Sequence, residues 1–103
     1  MSIEIKENRT PEMVEVVVSG TIKSVDDSMK IKEALIAALA TDKSVALRLV
    51  INDSFIVTSS VIGFLLKLIQ KDRINLTVVA KKSELYELFE SLRLVSLLNV
   101  VRE

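Results

Sequence analysis

Val45-Ala46-Leu47-Arg48-Leu49-Val50-Ile51 and, beyond a turn cluster, Thr58-Ser59-Ser60-Val61-Ile62-Gly63-Phe64-Leu65-Leu66 decide how this chain is read. The first stretch is short, nearly continuous in apolar residues and β-branched at its end. That is the composition of a central strand rather than a helix, in a sheet covered by helices on at least one face. The second opens on three hydroxyls. It then places Val61, Ile62, Leu65, Leu66, Leu68 and Ile69 over a wide arc, which predicts a largely buried helix over about 59–72. Asn52-Asp53-Ser54 makes the turn between them, and Phe55-Ile56-Val57 reads as a short extended piece. A buried strand feeding a buried helix is half of a parallel βαβ unit.

Working outward, the same alternation recurs. Ile3 and Ile5 alternate with Glu4 and Lys6, and Val14, Val16 and Val18 alternate with Glu15, Val17 and Ser19. Two strands of period two, joined through Asn8-Arg9-Thr10-Pro11, predict a hairpin ending at Gly20. Ser24-Val25-Asp26-Asp27 has the form of a capping box with Asp in place of Glu. Behind it, Ile31, Leu35, Ala38 and Leu39 define one face of an amphipathic helix over roughly 26–40, broken by Thr41-Asp42-Lys43-Ser44. Residues 74–80 read as a further strand. Ser83 is placed to N-cap a third helix carrying Leu85, Leu88, Phe89 and Leu92, and Leu97 to Val101 reads as a short last strand. The order is ββαβαβαβ. It predicts a single α/β domain over 1–103, with a mixed, mostly parallel sheet, an N-terminal β-hairpin and about three covering helices.

Composition agrees. The chain has 103 residues, half of them hydrophobic, so a core is available without staples. It has no Cys and no His, which excludes thiol nucleophiles, His-based triads, imidazole acid–base chemistry and Cys/His zinc sites. Its two glycines, Gly20 and Gly63, build no phosphate loop. Fourteen Lys and Arg balance fourteen Asp and Glu, with no basic stripe interleaved with aromatics, so nucleic acid is not an expected partner. No apolar run reaches the length of a membrane helix, and the start has no basic region leading into an apolar one. These features predict a cytoplasmic protein with no cofactor and no direct membrane insertion.

The order of elements, together with two motifs, resembles the STAS domain of anti-sigma factor antagonists and sulphate transporters. Ser19-Gly20-Thr21-Ile22-Lys23 matches the stretch that ends the family's hairpin. Ile56 to Leu66 matches its central loop and helix, with Gly63 and Leu65-Leu66 in register and Ser59 on the family's phosphorylatable serine. Three departures stand out. Thr58 replaces the family's Asp before that serine, Val61 replaces a Gly, and Lys23 replaces an Asp.

The resemblance implies a phosphoacceptor at Ser59, with Thr58 as the alternative. It implies partner-binding residues Thr58, Ser59, Ser60, Ile62, Gly63, Lys23, Asn52 and Asp53. The residues alone leave other readings open. One of Thr58, Ser59 and Ser60 can simply cap the helix. Asn52-Asp53 can form an Asx turn rather than dock a partner at the sheet's carboxyl end. Lys71, Arg73, Lys81 and Lys82 form either a solvated face or an anion site. Leu94, Val95, Leu97 and Leu98 are core or a partner patch, and Phe64 protrudes or fills the core.

Two functions follow from the resemblance. One is a non-catalytic regulator that binds a serine-kinase-type anti-sigma factor and is released by phosphorylation at Ser59. The other is an accessory subunit seated on the cytoplasmic ATPase of a lipid-transport ABC system, without a phosphate cycle. Both expect a protein partner, with the chain itself a monomer or weak dimer. An enzyme is disfavoured, because no paired-carboxylate constellation is visible.

Overall fold

The computed structural model describes residues 3–40 and 45–103 of the chain. The expected helix breaker at 41–44 lies outside the described residues. The elements are β1 (Glu4–Arg9), β2 (Met13–Ser19), α1 (Val25–Ala40), β3 (Ala46–Ile51), α2 (Ser59–Gln70), β4 (Leu76–Ala80), α3 (Ser83–Ser91) and β5 (Val100–Arg102). The order is the ββαβαβαβ expected.

The five strands form one sheet in sequence order, β1-β2-β3-β4-β5. β1 and β2 pair antiparallel, and each later pair is parallel. Each parallel step moves one place in the same direction. Right-handed crossovers then put α1, α2 and α3 on one face. Val14, Val16 and Val18 of β2, Leu47, Leu49 and Ile51 of β3, and Leu76, Val78 and Ala80 of β4 point into that layer. They form one core with Ile31 and Leu35 of α1, Val61 and Leu65 of α2, and Leu85 and Phe89 of α3.

Among the described residues, no helix covers the opposite face. Val50 and Val79 are nevertheless buried there. Arg48, on the same face, pairs with Glu15 and Glu103, and Lys81 pairs with Glu103 at 3.1 Å. The long stems of these charged residues can shield the valines while their paired heads stay partly exposed.

Several boundaries differ from expectation. Asn8 and Arg9 continue β1, and the hairpin turns at Thr10–Met13, where Thr10 N–H donates to Met13 O at 2.8 Å and the Thr10 hydroxyl accepts from Met13 N–H. β4 starts two residues late, because Arg73 turns left-handed (φ 54°) and Ile74 N–H returns to Leu68 O. Phe55-Ile56-Val57 is an irregular loop rather than strand. Ser83 does not cap α3; Lys82 holds the N-cap position and Ser83 is the first helical residue. The last strand is Val100–Arg102 because Leu97-Leu98 sit in a turn, with Leu98 N–H donating to Leu94 O and Leu98 filling the core. Among the described residues, no helix is long and apolar enough to cross a membrane.

Candidate functional site

Parallel connection gathers the carboxyl ends of β2, β3 and β4, and the amino ends of all three helices, at one rim of the sheet. Residues 20–24, 52–58 and 81–82 line that rim. The path out of β2 is fixed first. Gly20 has φ +98°, a conformation that side chains rarely adopt. A Cβ there would also meet Ile3 Cα at 3.3 Å. The Asp53 carboxylate accepts from Gly20 N–H at 2.9 Å, and Asn52 Nδ2 donates to Ser19 Oγ at 3.2 Å. Ser54 is fully buried. Its hydroxyl accepts from Ile22 N–H at 3.0 Å and donates to Ile56 O at 2.6 Å.

The cluster 52–54 therefore braces two loops against each other. No Asx turn is formed by Asn52 or Asp53, whose side chains reach across to β2. Ser54 makes the local bond instead. Of the expected partner-binding residues, Asn52 and Asp53 are engaged in this brace.

α1 begins with the expected reciprocal cap. Ser24 Oγ accepts from Asp27 N–H at 3.1 Å, and the Asp27 carboxylate accepts from Ser24 N–H at 3.2 Å. Asp27 also accepts from Lys23 N–H at 3.1 Å. That bond to Lys23, followed by those from Ser24, holds the Asp27 carboxyl below its ordinary range despite burial.

α2 begins at Ser59, and Thr58 is its N-cap. Thr58 Oγ1 accepts from Val61 N–H at 3.2 Å and lies 2.7 Å from Ser28 Oγ of α1. Thr58 is half-buried and its hydroxyl is occupied on two sides. Ser59 and Ser60 are exposed. The helix is thus capped without calling on Ser59. Lys32, one turn up α1, donates to Ser60 Oγ at 2.5 Å. Ser59, Ser60 and Gly63 lie on the solvent side of α2, while Val61 is fully buried and Ile62 half-buried.

Between the two helix starts is a cavity of about 290 Å³, lined by residues that include Lys23, Ser28, Met29, Lys32, Ser59 and Ser60. Four of the expected site residues (Lys23, Thr58, Ser59, Ser60) meet at this cavity. Further along α1 and α2, a second hollow of about 230 Å³ lies among Ile36, Phe64 and Lys67. Phe64 is half-buried, packed against the core and open to that hollow.

The periodicity of α1 identified its buried face but not its other apolar residues. Val25, Met29 and Ile36 are 75%, 51% and 57% exposed. Their spacing of four and seven residues puts them on one stripe, which Lys32 shares. Phe55 and Ile56 are also exposed, in the loop leading to Thr58. Counting apolar residues that fall off the core-facing arc of α1 was the signal that would have found the stripe.

The basic residues do not form one cluster. Lys71 and Arg73 precede β4 and Lys81 and Lys82 follow it, so about 16 Å of strand separates the pairs. Lys81 is already paired with Glu103. Of the apolar tail, Leu98 is fully buried, Leu94 and Val95 pack against the core, and Leu97 is exposed.

No protein-family model and no curated protein matches the sequence. Among solved structures, the chain is similar to the crystal structure of an anti-sigma factor antagonist from Mycobacterium paratuberculosis. The TM-score is 0.72 at 19% sequence identity, covering 95% of this chain and 84% of that one. The likeness is one of fold, and the fold is the STAS-like one that the motifs at 19–23 and 56–66 imply.

Proposed function

We propose that this chain is a non-catalytic regulatory module of the anti-sigma factor antagonist type, acting in the cytoplasm. It docks a serine-kinase-type anti-sigma factor over the rim that carries Ser59, and phosphorylation of Ser59 ends that binding. One observation carries this reading. Thr58, not Ser59, caps α2, which leaves Ser59 exposed at the helix start. Thr58 is the poorer acceptor because its hydroxyl is held by Val61 N–H and Ser28.

In the modification step, Ser59 Oγ attacks the γ-phosphorus of ATP. The bridging bond to ADP breaks, and the hydroxyl proton passes to the kinase's base. The product carries about −1.5 to −2 charges at neutral pH. A partner seated on the exposed residues of α1 and the 55–60 loop must then bury that charge or leave. Gly63, one turn beyond Ser59, supplies the low relief that a closely docked surface needs; a Cβ built there meets no atom within 4 Å.

The test is incubation with a serine-kinase-type anti-sigma factor and ATP, read by intact mass. One added phosphate is expected, absent from Ser59→Ala. Ser59→Asp is expected to fold normally and to bind the unmodified partner at least tenfold more weakly. A Ser59→Asp protein that binds as well as wild type would overturn the charge gate. Absence of phosphate, with co-purification of a transport ATPase, would favour the accessory-subunit reading instead.

A further inference from the structure

The cavity beside Ser59 holds more than a docking edge requires. Two lysines, Lys23 and Lys32, line it together with Ser59. Among the described residues, no carboxylate lines it. Asp27, on the first turn of α1, is turned into the backbone N–H groups of Lys23 and Ser24. Asp26, on the same turn, does not line the cavity. Lys32 is half-buried and already reaches across from α1 to α2, where it donates to Ser60, the residue after Ser59. The volume of about 290 Å³ is several times that of a water molecule and accommodates a phosphate ester.

We propose that this cavity receives the phosphate of phosphorylated Ser59, with Lys32 as its principal partner and Lys23 as its second. The inference rests on the reading of Ser59 as a phosphoacceptor and specifies how the modification acts. A free hydroxyl leaves the cavity open and Lys32 on Ser60. A phosphate swings into the cavity and takes Lys32 with it. The modification thereby fills a hollow of the docking face and occupies both lysines, in addition to adding charge. Charge-assisted bonds from ammonium to phosphate are short and strong enough to hold the group there.

The experiment uses full-length protein with phosphoserine installed at position 59 during translation, so no kinase is needed. Phosphorus NMR follows the second ionisation of the phosphoserine, which lies near 6 in the absence of partners. In the wild-type background the midpoint is expected at least about half a pH unit lower, because neighbouring cations favour the dianion. Lys32→Gln is expected to return most of that shift and Lys23→Gln a smaller part. Lys30→Gln, an exposed position of α1 that does not line the cavity, serves as the control and is expected to leave the midpoint within about 0.2 unit, as a surface charge screened by salt does.

A midpoint near 6 in the wild-type background, or equal effects of Lys30→Gln and Lys32→Gln, would overturn the cradle. Neither result bears on whether a kinase modifies Ser59, which the mass measurement decides separately.

Discussion

Thr58 shows how one substitution changes the meaning of its neighbours. The STAS motif that residues 56–66 resemble has Asp at this place. Asp and Thr both accept a bond from the N–H three residues on, so the cap survives the exchange. Here that bond comes from Val61 N–H, and the remaining capacity of the hydroxyl goes to Ser28 of α1. Thr58→Val is expected to destabilise the fold by about 1 kcal/mol, the usual worth of a cap. Thr58→Asp is expected to stay within about 0.5 kcal/mol of wild type, both read by urea denaturation. A Thr58→Val protein as stable as wild type would mean that a neighbouring serine can take over the cap. Ser59 would then not be free of a structural duty. Val61 makes a complementary point. It stands where the motif that this stretch resembles has Gly, and it is fully buried, so its side chain is absorbed by the core.

At the scale of elements, the amino end of α1 supplies a prediction in pH. The Asp27 carboxyl is held below its ordinary value of 3.8 by Lys23 N–H first and then by Ser24. The unfolded chain takes up its proton near the ordinary value, and the folded chain only at lower pH. The stabilisation from this group is therefore complete above about 4 and is lost as pH falls through the folded value. Asp27→Asn is expected to be less stable than wild type at neutral pH, with the difference shrinking as the pH falls below 3.8. Chemical denaturation across that range measures it, and a constant difference would remove Asp27 from the acid limb.

This cap was legible because its information is local: a Ser, a carboxylate three residues on, and an apolar period behind them. The strands of the core were legible for the same reason. Misplaced features depended on distant partners. The side chains of Asn52 and Asp53 look like those of a self-contained turn, but Ser19 and Gly20 claim them. Leu97 and Leu98 have the residue types of a strand, yet the core built by distant strands and helices claims Leu98, and a turn closed by Leu94 O delivers it there. In the candidate site, the hydroxyl trio was visible in sequence, whereas the meeting of Lys23 and Lys32 around it arises only when α1 and α2 are packed side by side.

For the whole molecule, the one-sided sheet decides where a partner can sit. The uncovered face is laced by Arg48, Glu15, Glu103 and Lys81 over buried valines, with Val101 of the edge strand exposed beside them. The helical face is different. Val25, Met29 and Ile36 form an exposed stripe that runs from the cavity beside Ser59 to the hollow under Phe64. Such side chains contribute little to the fold, since they are largely wet already, so Met29→Ser and Ile36→Ser should each cost less than about 0.5 kcal/mol. Desolvated at the centre of an interface, each is worth more than about 1 kcal/mol, a factor of five or more in affinity. The double variant is therefore expected to bind the proposed kinase-type partner at least about tenfold more weakly by calorimetry while its denaturation midpoint hardly moves. Leu92 and Leu97 are equally exposed but belong to the α3–β5 connection. Leu92→Ser with Leu97→Ser should leave binding within about twofold, the scale of an energetically neutral change. Loss of affinity in that control pair, with the α1 pair silent, would move the docking face to the other end of the molecule and detach it from Ser59.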